Sequence, residues 1–435
     1  MTRAALIFVA VGWAALPAGA ALGVDTLPAA WAEALAHNPE IAAAELDTAA
    51  TCDELAAAQA GRHPTAALSG GYAVRSEQRS FIFENPLAPG QTFTSPYMQR
   101  EGASAAASVR LPLYAGGGTR RSIEGAEARV SAARHRASAA RMDLMLAVAE
   151  AYVAVLRAQR GVEVAEQELA CLEAHQREAS HRVAQHLAQR GDHLAAQVAV
   201  AEAVQSRLRR LHELQVARGA YNRWLGRPLT AAVELAELTI ATLPGDAEEL
   251  QQFALENRAE LAELESAAEA RRQDAQRLLA SVRPQVSLVG RHDFEENRFQ
   301  TPQGVSAAGV VVDWSVYDGG RSRRAAAAEE HRAMSIAKLA EDLRSRIALE
   351  VVTQKYAELE AVARREVALQ AMGNADENLR VAHLRFVQGL AVGSEVLDAQ
   401  SQRTKAANDY YCAQYDAQLA GIRLRHAVGV LGTID

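Results

Sequence analysis

"LPLYAGGGTR", residues 111–120, closes an alternating run and opens a helical one, and "WSVYDGGRSR", residues 314–323, does the same again. In both, apolar side chains fall on every second residue up to a tyrosine, a glycine pair follows, and arginines begin a long stretch without proline. A period of two that changes at glycines to a helical period reads as a strand feeding a helix, with Gly116, Gly117, Gly319 and Gly320 as the turn residues. Tyr114 and Tyr317 stand 203 residues apart, so the chain carries this unit twice.

The duplication extends upstream. "HNPEIAAAELDTAATCDELAAAQAGRHPTAALSGGY" from His37 parallels "ENRAELAELESAAEARRQDAQRLLASVRPQVSLVGRH" from Glu256, with Asn38 against Asn257 at an offset of 219 and Pro64 against Pro284 at 220. The fall from 220 to 203 assigns 17 extra residues to the first copy, where "FIFENPLAPGQTFTSPY", residues 81–97, holds Pro86, Pro89 and Pro96. An insertion of that composition reads as an exposed loop.

Either side of it the alternation is clear. Ala66, Leu68, Gly70, Tyr72 and Val74 share one face, as do Ala105, Ala107, Val109, Leu111 and Leu113 against Ser104, Ser108 and Arg110. The second copy has Val286 and Leu288 against Gln285, Ser287 and Arg291, then Val310, Val312, Trp314 and Val316 against Gly309, Asp313 and Ser315. Each copy thus contributes two strands of about ten residues, the length of a tilted outer-membrane strand. Alternation alone fits a soluble hairpin packed on a core equally well. Four strands cannot close a barrel, and an open edge cannot face lipid, so membrane strands would have to be pooled between copies.

Downstream, Thr119 to Ala188 contains no proline, and Val148, Val155, Val162 and Leu169 recur every seven residues with Ala151, Ala158, Ala165 and Leu172 three behind each. That is a coiled-coil seam, and some 70 residues at helical rise make a rod on the order of 100 Å. The helix reverses at "AQRGDHLAAQ", residues 188–197, and returns to "YNRWLGRPL", where Gly226 and Pro228 stop it. The second copy runs from about Arg321 to Val387, reverses at "QGLAVGSE", residues 388–395, and returns to Gly429. Gly191, Gly389 and Gly393 read as the glycines of the two helix tips. Matching Gly191 to Gly389 sets an offset of 198 there, which puts Gln197 where the second tip has Glu395. Glu395 and Asp398, three apart, share one helical face.

The amino terminus has Arg3, an apolar run from Ala4 to Leu16, Pro17 and the small triplet Ala18-Gly19-Ala20, the pattern of a cleavable export signal over residues 1–20. No later window offers 18 consecutive apolar residues, so entry into a membrane would be as strands. Of 435 residues 49% are hydrophobic but only 5% aromatic, an alanine-rich composition suited to close-packed helices. The net charge of −7, from 46 basic and 53 acidic side chains without a like-charge block, gives no nucleic-acid footprint.

No catalytic or metal-binding pattern emerges. "GGG" at Gly116 lacks the lysine and hydroxyl of a phosphate loop. His175, His181, His186 and His193 are spaced 6, 5 and 7 apart, off any common helical face, and Cys52, Cys171 and Cys412 are too scattered for a zinc site or disulfide framework. "RGD" at Arg190 falls in a helix tip, and no serine sits in a nucleophile elbow. The reading is of a non-enzyme without cofactor.

With paired hairpins, paired strand sets and these tips in view, the chain resembles the TolC family of outer-membrane efflux and secretion ducts. The resemblance covers nearly all of the mature chain and rests on "NPEI" at Asn38, "LYAGGG", "VYDGGRSR", "FVQGLAVGSEVLDAQ", "YNRWLGRP" and "HAVGVLG", in duplicated order. It implies a mainly helical chain with membrane β structure. Long antiparallel hairpins would form a periplasmic α-barrel, and four strands per chain would join a trimeric 12-stranded outer-membrane barrel. The implied segments are a first repeat at 21–226, a linking, equatorial segment at 227–248 and a second repeat at 249–435. The implied partners are two further copies, outer-membrane lipid, a periplasmic adaptor docking at the Gly191 and Gly389 tips, and an inner-membrane pump of RND, MFS or ABC type. The implied location is the outer membrane of a Gram-negative bacterium, extending into the periplasm. Glu395 and Asp398 match motif positions whose acids line the constricted entrance, with Gln197 the non-acidic counterpart. Phe386 and Ala391 stand where locked members carry a tyrosine and an arginine, so those links cannot form here. The competing reading is a periplasmic coiled-coil adaptor or rod without a pore.

Overall fold

The computed structural model describes residues 24–186 and 189–431; the export signal at 1–20 lies outside them. Among the described residues eight helices and six strands follow one another in a duplicated order. The first copy has α1 (Leu27–His37), α2 (Pro39–Ala60), β1 (Thr65–Val74), β2 (Ser80–Glu84), β3 (Thr92–Pro96), β4 (Glu101–Ala115), α3 (Gly118–Ala184) and α4 (Arg190–Leu225). The second has α5 (Ala247–Asn257), α6 (Ala259–Ala280), β5 (Gln285–Glu295), β6 (Gly304–Asp313), α7 (Arg321–Val387) and α8 (Gly393–Val428). The chain divides into two compact units that do not coincide with the repeats, for each draws on both copies.

One unit comprises residues 39–141 and 248–351. Its sheet is antiparallel in the order β1-β4-β5-β6. The register joins the apolar faces of both copies: Ala66, Val109, Gly290 and Ala308 form one cross-strand row, and Leu111, Leu288 and Val310 another. This face is open, with Leu68, Val109, Leu288, Val310 and Val312 all exposed. The opposite face carries Arg110, which reaches Ser287 (3.2 Å) and Asp313 (3.5 Å), and the Arg291–Asp293 pair (2.6 Å).

Three expectations are refined here. β4 is 15 residues long, and a bulge between Pro112 and Tyr114 puts Tyr114 rather than Leu113 in register with Val286. β6 ends at Asp313, so Trp314 and Val316 lie beyond it; the Trp314 indole instead donates to the Val282 carbonyl (3.1 Å). The insertion expected as a loop is exposed but folded into a hairpin, β2 against β3, because its β-prone aromatics pair across the strands. Phe83 stacks on Phe93 (5.3 Å) and Phe81 on Tyr97 (4.3 Å).

Below the sheet, α6 packs its alanines Ala268, Ala275 and Ala280 inward and fastens polar residues to its neighbours. Asp274 and Glu263 pair with Arg129 and Arg136 of α3, and Glu265 with Arg344 of α7.

The other unit comprises residues up to 38, then 142–247 and 352 onward. Its core is the heptad seam of α3, where Val148, Val155, Val162, Ala165 and Leu172 are buried, joined by Tyr221 and Leu225 of α4 and Ile422, Leu424 and Val428 of α8. Around it the helix-free stretch between Gly226 and Asp246 is tied down by polar contacts. Tyr152 Oη donates to the carbonyls of Asp25 (2.9 Å) and Ala236 (2.7 Å), and Arg227 bridges Asp25 and Glu33. Desolvation and the nearby Asp25 carboxylate push the Tyr152 hydroxyl up to about 12. Glu358, almost wholly buried, accepts from Lys355 Nζ (3.1 Å) and the Leu243 amide (3.4 Å).

Candidate functional site: helix tips and strand-to-helix turns

The four turn glycines all adopt positive φ: 63° and 89° at Gly116 and Gly117, 72° and 81° at Gly319 and Gly320. Left-handed backbone is where a Cβ is costly, so two adjacent left-handed residues turn a strand sharply into a helix only if both are glycine. At Gly116 space also demands it, since a Cβ would lie 2.6 Å from the Ala280 carbonyl oxygen. At Gly319 and Gly320 nothing lies within 4 Å, and the second turn is held by Asp318, whose carboxylate accepts from the amides of Gly320 (3.0 Å) and Ser322 (2.9 Å). Those bonds hold the Asp318 carboxyl below its usual range, the Ser322 contacts foremost.

At the second tip, α7 ends in a Schellman motif. Gly389 takes φ 75°, the Leu390 amide donates to the Arg385 carbonyl (2.8 Å), and that of Gly389 to Phe386 (3.0 Å). Val392 is extended and α8 starts at Gly393. Gly393 is therefore a first-turn helical residue with an ordinary φ, and the reversal belongs to Gly389. Among the described residues of the first tip the left-handed one is His186, φ 59°, not Gly191, which lies inside the first turn of α4.

These positions correct the correspondence between the tips. α3 and α7 have 67 residues each and α4 and α8 have 36 each, so the offset of 203 fixed at Tyr114 and Tyr317 holds to the end of the hairpins. Gly389 then matches His186, Gln197 matches Gln400, and Glu395 matches Asp192. Gln197 is exposed on α4 but is not the counterpart of Glu395, and the first tip does carry an acid. The pattern was present in the sequence: "LAAQ" at 194–197 aligns with "LDAQ" at 397–400, and Arg182 and Gln185 with Arg385 and Gln388.

Asp192 and Glu395 both sit in first turns, where the helix dipole favours a carboxylate. The two starts are neighbours: a Cβ built on Gly393 stands 3.4 Å from that of Asp192. Glu395 is exposed and pairs with Arg385 (3.2 Å). Asp398, one turn further on, borders a groove with Glu168, Glu202 and Arg209. Burial raises the Glu168 carboxyl above its usual value.

Sequence reading also missed what fixes the end of α7. Arg182 of α3 donates to the carbonyls of Phe386 (2.6 Å) and Val387 (2.5 Å), and its guanidinium lies 4.5 Å from the Phe386 ring centre. Among the described residues no group of His, Cys, Asp and Glu side chains is arranged to hold a metal ion, and no helix is long and apolar enough to cross a membrane.

Long helical hairpins, strand-to-helix turns on paired glycines and a four-stranded antiparallel sheet whose apolar side chains are exposed define a TolC-like outer-membrane channel fold. The chain belongs to the Outer membrane efflux protein family, whose sequence profile matches residues 31–227 and 250–430, so it is of a family of transport channels and not of enzymes. No match was found among curated proteins. Solved structures of the same fold include VceC, an outer membrane protein of Vibrio cholerae, at 20% identity over 93% of this chain and 96% of that one, TM-score 0.77. A membrane protein from Pseudomonas aeruginosa matches at 21% over 93% of each chain, TM-score 0.76. The MtrE outer membrane channel of Neisseria gonorrhoeae, in its open state, matches at 17% over 93% of this chain and 89% of that one, TM-score 0.75.

Proposed function

We propose that three copies of this chain form a passive exit duct across the periplasm and outer membrane. The observation that carries the reading is the sheet: β1 and β6 are its edges, and its apolar side chains lie exposed. In lipid such edges have no water to satisfy them, so a second and third copy must supply the pairing, and three times four strands closes a barrel of about 12, within the known range. The helical hairpins then line a periplasmic tunnel around which residues 227–248 form the belt. The tips around Gly389 and His186 are its entrance, where a periplasmic adaptor and an inner-membrane pump of RND, MFS or ABC type supply substrate and energy.

At that entrance each copy contributes Glu395 and Asp398 from the second tip and Asp192 from the first. Converging copies place these carboxylates in rings that favour cations. The test is single-channel conductance of the detergent-extracted mature protein in a planar bilayer. A stable, cation-preferring current is expected, with the preference reduced by Glu395→Ala combined with Asp398→Ala. Silence from folded protein that alkaline carbonate washes out of membranes would instead establish a rod without a lumen, and unchanged selectivity in the double variant would remove the acids from the gate.

A further inference from the structure

His175 of α3 is 4% exposed, and neither ring nitrogen has a hydrogen-bond partner. Its ring lies against Phe386, the last buried residue of α7, at 5.0 Å between centres and tilted by 54°. Phe386 is itself 2% exposed, held between this imidazole and the Arg182 guanidinium. One aromatic side chain thus seats the end of α7 on α3, and a titratable ring forms half of the seat. We propose that this is a pH-sensitive latch: neutral His175 seats Phe386 and keeps the α7 tip closed against α3, and protonation of His175 unseats it and frees the entrance. The part about the entrance rests on the duct reading above; the latch itself does not.

The charges around the ring decide the direction. From α3 it faces Cys171, Glu178 and Arg182, from α7 Asp376, Arg380 and His383, from α4 Asp192, while α8 presents apolar Val396. Glu178 and Asp192 favour the imidazolium, but Glu178 is shared between Arg182 (3.4 Å) and His383 (3.4 Å), and Asp376 is engaged by Arg403 (2.9 Å). Arg182 and His383 disfavour it, and burial disfavours it most, which holds the ring below its ordinary pKa. A cation over the Phe386 face gains less than an unpaired buried charge loses, and the ring face is already occupied by Arg182. Protonation therefore drives the pair apart. A cavity of about 390 Å³ beside His175 gives water a place to enter when it does.

The sign follows from linkage. A histidine whose seated pKa is depressed stabilises the seat fully above the free imidazole value of roughly 6.5, and that stability is lost as pH falls through the window below it. Latch closure should be complete at neutral pH and weaken in mild acid.

The experiment follows hydrogen exchange of the peptide spanning 384–392, as protection factors corrected for intrinsic rates, from pH 7.5 to 5, alongside conductance. In the wild type protection is expected to fall on acidification by up to about tenfold per pH unit, the limit for one linked proton, while conductance rises. His175→Phe should flatten both responses, and His383→Gln should keep them; if His175→Phe does not fold, the shorter, non-titrating His175→Asn serves the same comparison. Loss of the pH response in His383→Gln, or its persistence in the His175 variant, would overturn the latch. If exchange responds as expected but no form conducts at any pH, the duct reading fails and the latch stands. If current flows while exchange and conductance ignore pH, the latch fails and the duct stands.

Discussion

At the scale of single residues, the two tips solve the same reversal with different side chains. Gly389 adopts φ 75° without strain, whereas His186 holds φ 59° with a Cβ present. Left-handed backbone costs a side chain about 1 kcal/mol or more. Gly389→Ala should therefore loosen the Schellman closure by roughly that amount, and His186→Gly should tighten the first tip by a similar one, opposite changes that amide exchange on either side of each turn would read. The strand-to-helix glycines separate backbone from steric cost. Gly319→Ala meets only the φ penalty, but Gly116→Ala also drives a Cβ to 2.6 Å from the Ala280 oxygen. Heat-induced unfolding should rank Gly116→Ala well below Gly319→Ala. The turn glycines were legible because glycine pairs after an alternating run have one common structural meaning. The first tip was misread for a related reason: matching glycine to glycine took Gly191 for the turn, when a histidine, one of the residues that tolerates left-handed backbone, had replaced it.

At the scale of elements, buried contacts decide more than the many ion pairs along the helices. Lys338–Glu341 (2.8 Å) and Arg380–Glu377 (2.6 Å) lie in solvent, where screening and side-chain entropy leave such pairs little net contribution. Glu358 is different, since it is 1% exposed and joins Lys355 to the Leu243 amide, anchoring a segment that has no helix of its own. Removing Glu358 leaves Lys355 Nζ with only the Leu243 carbonyl (3.0 Å) and the Leu243 amide without its carboxylate acceptor, a loss in a poorly solvated site. Glu358→Ala should expose the chain near Leu243 to limited proteolysis, whereas Glu341→Ala should not change the digestion pattern. Element identity was readable from periodicity: the α7 bounds follow from the glycines and arginines at its ends. The β2–β3 hairpin was not readable, because three prolines in 17 residues signal a loop while the aromatic pairing that overrides them depends on register across the strands. Nor were Arg182 and Glu358, whose partners are remote in sequence.

At the scale of the whole molecule, the duplication does not make two bodies. Each compact unit is assembled from both copies, and the register unites four short alternating patterns into one mainly apolar face, interrupted by the His292–Ser306 pair (2.8 Å), and one face that carries the Arg110 and Arg291 ion pairs alongside Val305 and Val311. That division yields a sharp test on a single central strand. Val109 lies on the exposed apolar face of β4, and Ala106, three residues away, lies on the other, opposite Asp293. If the apolar face meets lipid, Val109→Arg places a charge in hydrocarbon at a cost of about 2–4 kcal/mol per copy. The expected result is loss of the heat-sensitive trimer band on unheated gels and depletion from the outer-membrane fraction. Ala106→Arg places the same charge beside a carboxylate on the polar side, where it should leave assembly intact and shift ion preference towards anions. A soluble hairpin packed on a core would give a different result, since neither face would meet lipid and Val109→Arg would leave the membrane fraction unchanged. The contrast between two arginines three residues apart thus tests the membrane assignment of the sheet independently of the helices, the tips or any partner.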